Sequence, residues 1–75
     1  MEKRDLDLIE KVIDRDGELK RYVVEHRELE SKLEELSNKP YLTAEQEVEV
    51  KRLKKMKLAG RDKIEEILKR YRQNN

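Results

Sequence analysis

The feature that most constrains this chain is the helical spacing of its apolar residues. A first stripe follows a heptad, with positions at Leu8, Val12, Leu19, Tyr22, His26, Leu29, Leu33 and Leu36. A second stripe with helical spacing runs from Val50 to Tyr71. Apolar residues that keep a helical period over such lengths are typical of amphipathic helices. The sequence therefore predicts an all-α protein.

Local signals divide this helical pattern into segments. Arg15 interrupts the first stripe beside Asp16, which can cap a new helix at Gly17. A helix stop is expected before Pro40, and Thr43 with Gln46 forms a capping box. The sequence predicts one domain over residues 1–75, with a short helix at about 4–14, a long helix at about 17–37, a loop at 38–42 and a second long helix at about 43–71.

Two long helices joined by a short loop must lie antiparallel. The predicted fold class is therefore an all-α, coiled-coil-like antiparallel helical hairpin with a short N-terminal helical segment. The residues expected in its core are Leu29, Leu33, Leu53, Ile64 and Ile67.

Some apolar residues lie off these stripes, and 75 residues are few for one self-sufficient core. We expect a covering element over an interaction surface whose candidate residues are Val24, Val48, Leu58 and Gly60. One candidate cover is the N-terminal segment, through Leu6, Ile9 and Ile13. The other, which the small size favours, is a second copy of the chain, which would form a four-helix bundle as a dimer.

The most specific runs of sequence are HREL at residues 26–29 and LKKMKLAGRDKI at residues 53–64. They resemble the YdcH-like family of small bacterial helical hairpins, and the resemblance extends over residues 8–70. It implies the hairpin fold and a bacterial, cytoplasmic setting, but no activity, because the family is a domain of unknown function. The family usually has a large apolar residue where this chain has Gly60. Either the helices approach closely there or a neighbour fills the gap.

His26 and Lys57 are polar residues at predicted seam positions, and Glu25, Glu28 and Glu30 are the carboxylates within reach of Lys57. A buried polar layer fixes the register of some coiled coils, and this role is a hypothesis for His26 and Lys57. His26 and Glu30 also form an i, i+4 pair, but two ligands are too few for a metal. We expect a hydrogen-bonded interface histidine, no metal and no cofactor.

The second long helix carries a basic run, Lys51, Arg52, Lys54, Lys55 and Lys57. Residues 1–38 carry eight basic and twelve acidic side chains, and residues 39–75 carry eleven and six. The hairpin should therefore place the run beside the acidic cluster Glu25, Glu28, Glu30, Glu34 and Glu35. We expect pairing within the hairpin. The alternative is weak, sequence-independent binding of nucleic acid or an anionic surface, but no aromatic residue or DNA-binding motif accompanies the run.

Residues that could support catalysis are scarce, with no cysteine and one histidine, and a two-helix scaffold is expected to lack a concave pocket. No apolar run is long enough for a signal peptide or a membrane span, so a cytoplasmic location is expected. The sequence thus predicts a non-enzymatic module that self-associates or binds a helical protein partner, without a small-molecule ligand.

Overall fold

The computed structural model describes residues 2–73, and its regular elements there are all helical. Helix α1 spans Lys3–Val12 and is followed by a 3-10 turn at Ile13–Arg15. Helix α2 spans Gly17–Ser37, and helix α3 spans Ala44–Gln73. Helices α2 and α3 pack against each other as an antiparallel hairpin, and the molecule measures 48 × 20 × 17 Å.

Side-chain caps set the starts of the two long helices. The Asp16 carboxylate accepts a hydrogen bond from the Leu19 N–H at 3.0 Å, which satisfies a free donor in the first turn of α2. At the start of α3, the Gln46 N–H donates to the Thr43 hydroxyl at 3.1 Å, and the Thr43 N–H donates to the Gln46 side chain at 2.9 Å. This is the reciprocal capping box that the sequence predicts.

The main core lies at the end of the hairpin remote from the α2–α3 loop. Its buried members are Ile9, Val12, Leu19, Val23, Ile64, Ile67 and Leu68. The first two belong to α1, so the N-terminal helix folds back and covers the open end of the hairpin. Two helices bury apolar surface only where they face each other, and α1 adds the third wall that a closed core needs.

Polar contacts join the three helices at the end of the molecule where this core lies. The Tyr71 hydroxyl donates to the Asp16 carboxylate at 2.6 Å, which joins the end of α3 to the start of α2. This hydrogen bond, together with that from the Leu19 N–H, lowers the pKa of the Asp16 carboxyl. The bond to Asp16 also raises the pKa of Tyr71. Arg72 forms an ion pair with Asp5, which joins α3 to α1.

The distribution of burial differs from the sequence-based expectation in several places. Leu53, Ile64 and Ile67 are buried, but Leu29 and Leu33 are only half-buried. Met56, expected on the apolar stripe of α3, is 46% exposed. In the N-terminal segment the buried pair is Ile9 and Val12, whereas Leu6 is exposed. Of the expected stripe at Leu6, Ile9 and Ile13, Ile9 is buried and Ile13 is half-buried against the core, whereas Leu6 at the start of α1 remains exposed.

Candidate functional site

Open grooves flank the α2–α3 seam, contrary to the expectation that a two-helix scaffold lacks concave surface. Two cylinders in contact leave a furrow on each side, and only part of one furrow is filled by α1. A cavity of about 720 Å³ lies beside α1, over Val23 and Ile64, and we call it the α1 cavity. On the same side, nearer the loop, lies a groove of about 730 Å³, which we call the loop-side groove.

Four aliphatic residues provide the apolar lining of the loop-side groove, namely Leu33, Leu42, Val50 and Leu58. Leu58 is the most exposed of them, with 59% of its surface open to solvent. Lys54, Lys57 and Arg61 lie along the α3 side of the groove, and Glu34 lies on the α2 side. The groove is therefore apolar inside and predominantly basic at its edges.

A polar bridge separates the loop-side groove from the α1 cavity. His26 Nδ1 lies 2.8 Å from Glu30 Oε1, and Glu30 Oε2 lies 4.0 Å from Lys57 Nζ. Glu30 thus links α2 to α3, whereas Glu25 and Glu28 line the opposite side of the hairpin. His26 is 14% exposed, and its Nε2 is buried with no hydrogen-bond partner among residues 2–73.

The same bridge contains the only histidine and therefore the residues considered for a metal. His26 and Glu30 offer two potential ligands. Within residues 2–73, no group of three or more His, Cys, Asp or Glu side chains is arranged to hold an ion. His26 and Glu30 therefore do not form a complete set of metal ligands with other side chains of residues 2–73. Glu30 instead pairs with Lys57 across the two helices.

The basic run is more exposed and less paired than the sequence suggests. Within residues 2–73, the acidic cluster and the run form one ion pair, Glu30 with Lys57, and Arg52 pairs instead with Glu49 at 3.6 Å in its own helix. Lys51, Lys54 and Lys55 form no ion pair in the described chain. One of the pairs expected between the two clusters is therefore present, Glu30 with Lys57, and the other lysines of the run are exposed to solvent.

The residues predicted for the interaction surface do not lie together. Leu58 lines the loop-side groove, whereas Gly60 lines a groove of about 450 Å³ on the opposite side, with Tyr22, Leu29 and Met56. We call this second surface the Gly60 groove. Val24 is 43% exposed and Val48 is 66% exposed, each on an outer side of its helix.

Gly60 does not mark a close approach of the helices. A Cβ atom built there would have no neighbour within 4 Å among the atoms outside its own turn of helix. Of the two alternatives for Gly60, a close approach of the helices is therefore wrong, and the space beside Gly60 is open.

Several residues of the loop-side groove were not identified as site residues from the sequence. The sequence predicts Leu33 in the core, Val50 in the second apolar stripe and Leu42 in the connecting loop. It gives Arg61 no role beyond its place in the run at residues 53–64. A signal was present, since Lys54, Leu58 and Arg61 are spaced by four and three residues and share one side of a helix.

The comparisons with known proteins agree with the hairpin but bring no activity. None of the helices in residues 2–73 combines the length and apolar character needed to cross a membrane. No curated protein and no solved structure matches the chain. A family model described as a protein of unknown function, DUF465, matches residues 19–68, which are 50 of the 75 residues and span most of α2 and α3. The YdcH-like resemblance is consistent with this match, and the chain belongs to the DUF465 family of proteins of unknown function.

Proposed function

We propose that this chain is a non-enzymatic interaction module that binds a helix in its loop-side groove. The helix belongs either to a helical protein partner or to a second copy of the chain. The observation that carries the proposal is the unfilled apolar groove around Leu58, beside a cavity where α1 already packs as a helix on the same side of the hairpin. An amphipathic helix in an apolar groove is a recurring mode of protein recognition.

The energetics of the groove favour this role. Burying a leucine side chain stabilises a complex by about 1.5–3 kcal/mol relative to leaving it exposed. Leu58 and the half-buried Leu33, Leu42 and Val50 form one surface, so a single helix can cover all of them. An apolar surface of this kind beside a small core is typical of interaction sites.

Sedimentation equilibrium of the wild type and of Leu58→Glu tests the proposal, with helicity followed over the same concentration range. A homodimer that uses this groove should dissociate in the variant, because the interface would lose the apolar contact of Leu58 and would have to desolvate a charged side chain in its place. If both proteins are helical monomers, the groove is free for a different protein.

Val48→Glu is the matched control, because Val48 is an exposed aliphatic residue of α3 outside the groove. It should leave the association state unchanged. A dimer that survives Leu58→Glu but dissociates in Val48→Glu would contradict the assignment of the loop-side groove as the interaction surface.

The exposed lysines favour a second candidate function, weak binding of nucleic acid or an anionic surface through Lys51, Arg52, Lys54 and Lys55. Binding of this kind should weaken steeply with salt. The double variant Lys51→Glu/Lys55→Glu should abolish it without changing helicity, since neither residue lines the loop-side groove. Binding that persists in this variant would argue against the basic run.

A further inference from the structure

The packing of α1 shows how the hairpin holds a helix. α1 buries Ile9 and Val12 against the hairpin core, and its acidic residue Asp5 pairs with Arg72 on α3. α1 is therefore held by an apolar side and by one carboxylate, that of Asp5. The hairpin contributes an apolar floor and a cation at the edge of α3.

The same edge of α3 continues into the loop-side groove. Arg61 lies 11 residues before Arg72, and Lys54 lies 7 residues before Arg61, so at about 100° per residue all three project within about 20° of one another. Arg72 forms an ion pair with Asp5 of α1, and within residues 2–73 Arg61 pairs only with Glu65 of its own helix, at 3.4 Å. Lys54 has no ion pair in the described chain.

The α1 cavity and the loop-side groove are neighbouring parts of one surface. His26, Lys57 and Arg61 line both of them. The loop-side groove thus repeats the features of the surface that receives α1, an apolar floor and a basic edge on α3. In this half of the hairpin, no helix of residues 2–73 covers the floor.

We propose that the loop-side groove binds a short amphipathic helix with an acidic edge, supplied by another protein. This inference rests on the proposed function and specifies the partner's chemistry. The apolar residues of that helix cover Leu33, Leu42, Val50 and Leu58, and its carboxylates face Lys54 and Arg61. The α3 side of the groove, from Val50 to Arg61, is about 17 Å long, which corresponds to about three helical turns.

Charge argues against a symmetric dimer through this groove. In a two-fold dimer the same surface meets itself, so Lys54, Lys57 and Arg61 of one copy would approach the same residues of the other. Glu34 is the only carboxylate among the residues that line the groove. Like charges brought together at an interface oppose binding, whereas an acidic helix neutralises the same edge.

The test uses two fluorescein-labelled synthetic peptides of about 14 residues, long enough for the groove. Both carry leucines at i, i+3, i+4 and i+7, and they differ only in having glutamate or lysine at the flanking positions. Fluorescence anisotropy measures their affinities for the full chain at low salt. We expect the glutamate peptide to bind at least about tenfold more tightly than the lysine peptide.

Two variants locate the binding. Leu58→Gln should weaken the affinity for the glutamate peptide about tenfold, and it adds no charge to the groove. Lys54→Glu/Arg61→Glu should reverse the preference between the peptides. The control Lys55→Glu/Lys69→Glu makes the same change of net charge outside the residues that line the groove and should keep the preference.

The outcomes separate this inference from the proposed function. If both peptides bind equally and Leu58→Gln weakens both, the acidic preference is overturned and the interaction module stands. Binding of the glutamate peptide could instead be unchanged by Leu58→Gln and weakened equally by both charge-reversal double variants. That result would indicate general attraction between opposite charges and would overturn the assignment of binding to the loop-side groove. If neither peptide binds and Leu58→Glu does not change the sedimentation behaviour, the proposed function fails as well.

Discussion

The two halves of the hairpin are built from the same pair of helices but are packed differently. In the half next to α1, seven aliphatic side chains are buried in one cluster. In the half next to the loop, the residues described contribute one buried side chain, Leu53, and Leu29 and Leu33 remain half-buried. The half next to α1 buries more side chains because α1 packs there as a third helix. Two helices with regular apolar stripes still leave a furrow on each side, and a closed core forms only where another element fills one.

The largest expected effect tests this contrast in burial. Leu68→Ala should lower the free energy of unfolding by about 2–5 kcal/mol, because Leu68 is fully buried and its truncation leaves a cavity. Leu33→Ala makes the same change at a half-buried site in the loop-side half and should cost clearly less. Urea unfolding followed by circular dichroism measures both. Equal losses would mean that the two halves are equally well packed.

A gain in stability is expected at Gly60. Gly60→Ala should raise the free energy of unfolding by about 1 kcal/mol, because alanine favours the helix and its Cβ meets no neighbour. Thermal melting measures the gain, and Gly17→Ala at the first residue of α2 is the control, with a smaller gain. A loss of stability, or a change of association state, would show that a neighbouring molecule occupies the space beside Gly60.

The hydrogen bond between Tyr71 and Asp16 should make the α1-side half sensitive to pH. Tyr71→Phe should lower the melting temperature by a few degrees at neutral pH. The bond lowers the pKa of Asp16 below its ordinary value of 3.8, so its contribution is complete above that pH and is lost as the pH falls through the lowered pKa.

The difference in melting temperature between wild type and Tyr71→Phe should therefore narrow as the pH falls below 3.8. It should also narrow above pH 10.0, because the raised pKa of Tyr71 stabilises the folded protein only while the unfolded tyrosine stays protonated. A difference that stays constant over the whole range would contradict the hydrogen bond.

The smallest effect is expected at the boundary between the halves. Glu30→Gln removes the charge that links His26 to Lys57, and a half-exposed pair of this kind contributes less than about 1 kcal/mol. Chemical denaturation should find a small decrease in the free energy of unfolding. Glu34→Gln is the control, because Glu34 forms no ion pair in the described chain. A loss of several kcal/mol would mean that the bridge aligns the helices.

Local chemistry explains which features the sequence predicts well. Asp16, Thr43 and Gln46 act on backbone groups within three residues, so their caps can be recognised without knowledge of the fold. The antiparallel hairpin follows from the short connection between two long stripes.

Contacts between distant residues were harder to predict. The pairing of Asp5 with Arg72 depends on the direction in which α1 folds back, and no local pattern fixes that direction. The sequence left Glu25, Glu28 and Glu30 as equal partners for Lys57, because the choice depends on the rotation of α2 about its axis. Of the residues that line the loop-side groove, the sequence predicts four as site residues, namely His26, Lys54, Lys57 and Leu58. Leu42 was not, because a loop residue has no periodicity that assigns it to a surface.

The short connector between α1 and α2 has a consequence for any partner of this protein. Residues 13–16 tether α1 to the hairpin, so its effective concentration at its binding surface is of the order of millimolar or higher. α1 can therefore remain bound with only Ile9 and Val12 fully buried. A helix from another molecule has no such tether. Its contacts must offset the translational and rotational entropy that is lost on association. A peptide with the sequence of α1 should therefore bind weakly from free solution, and a partner helix needs a larger apolar side than α1 has.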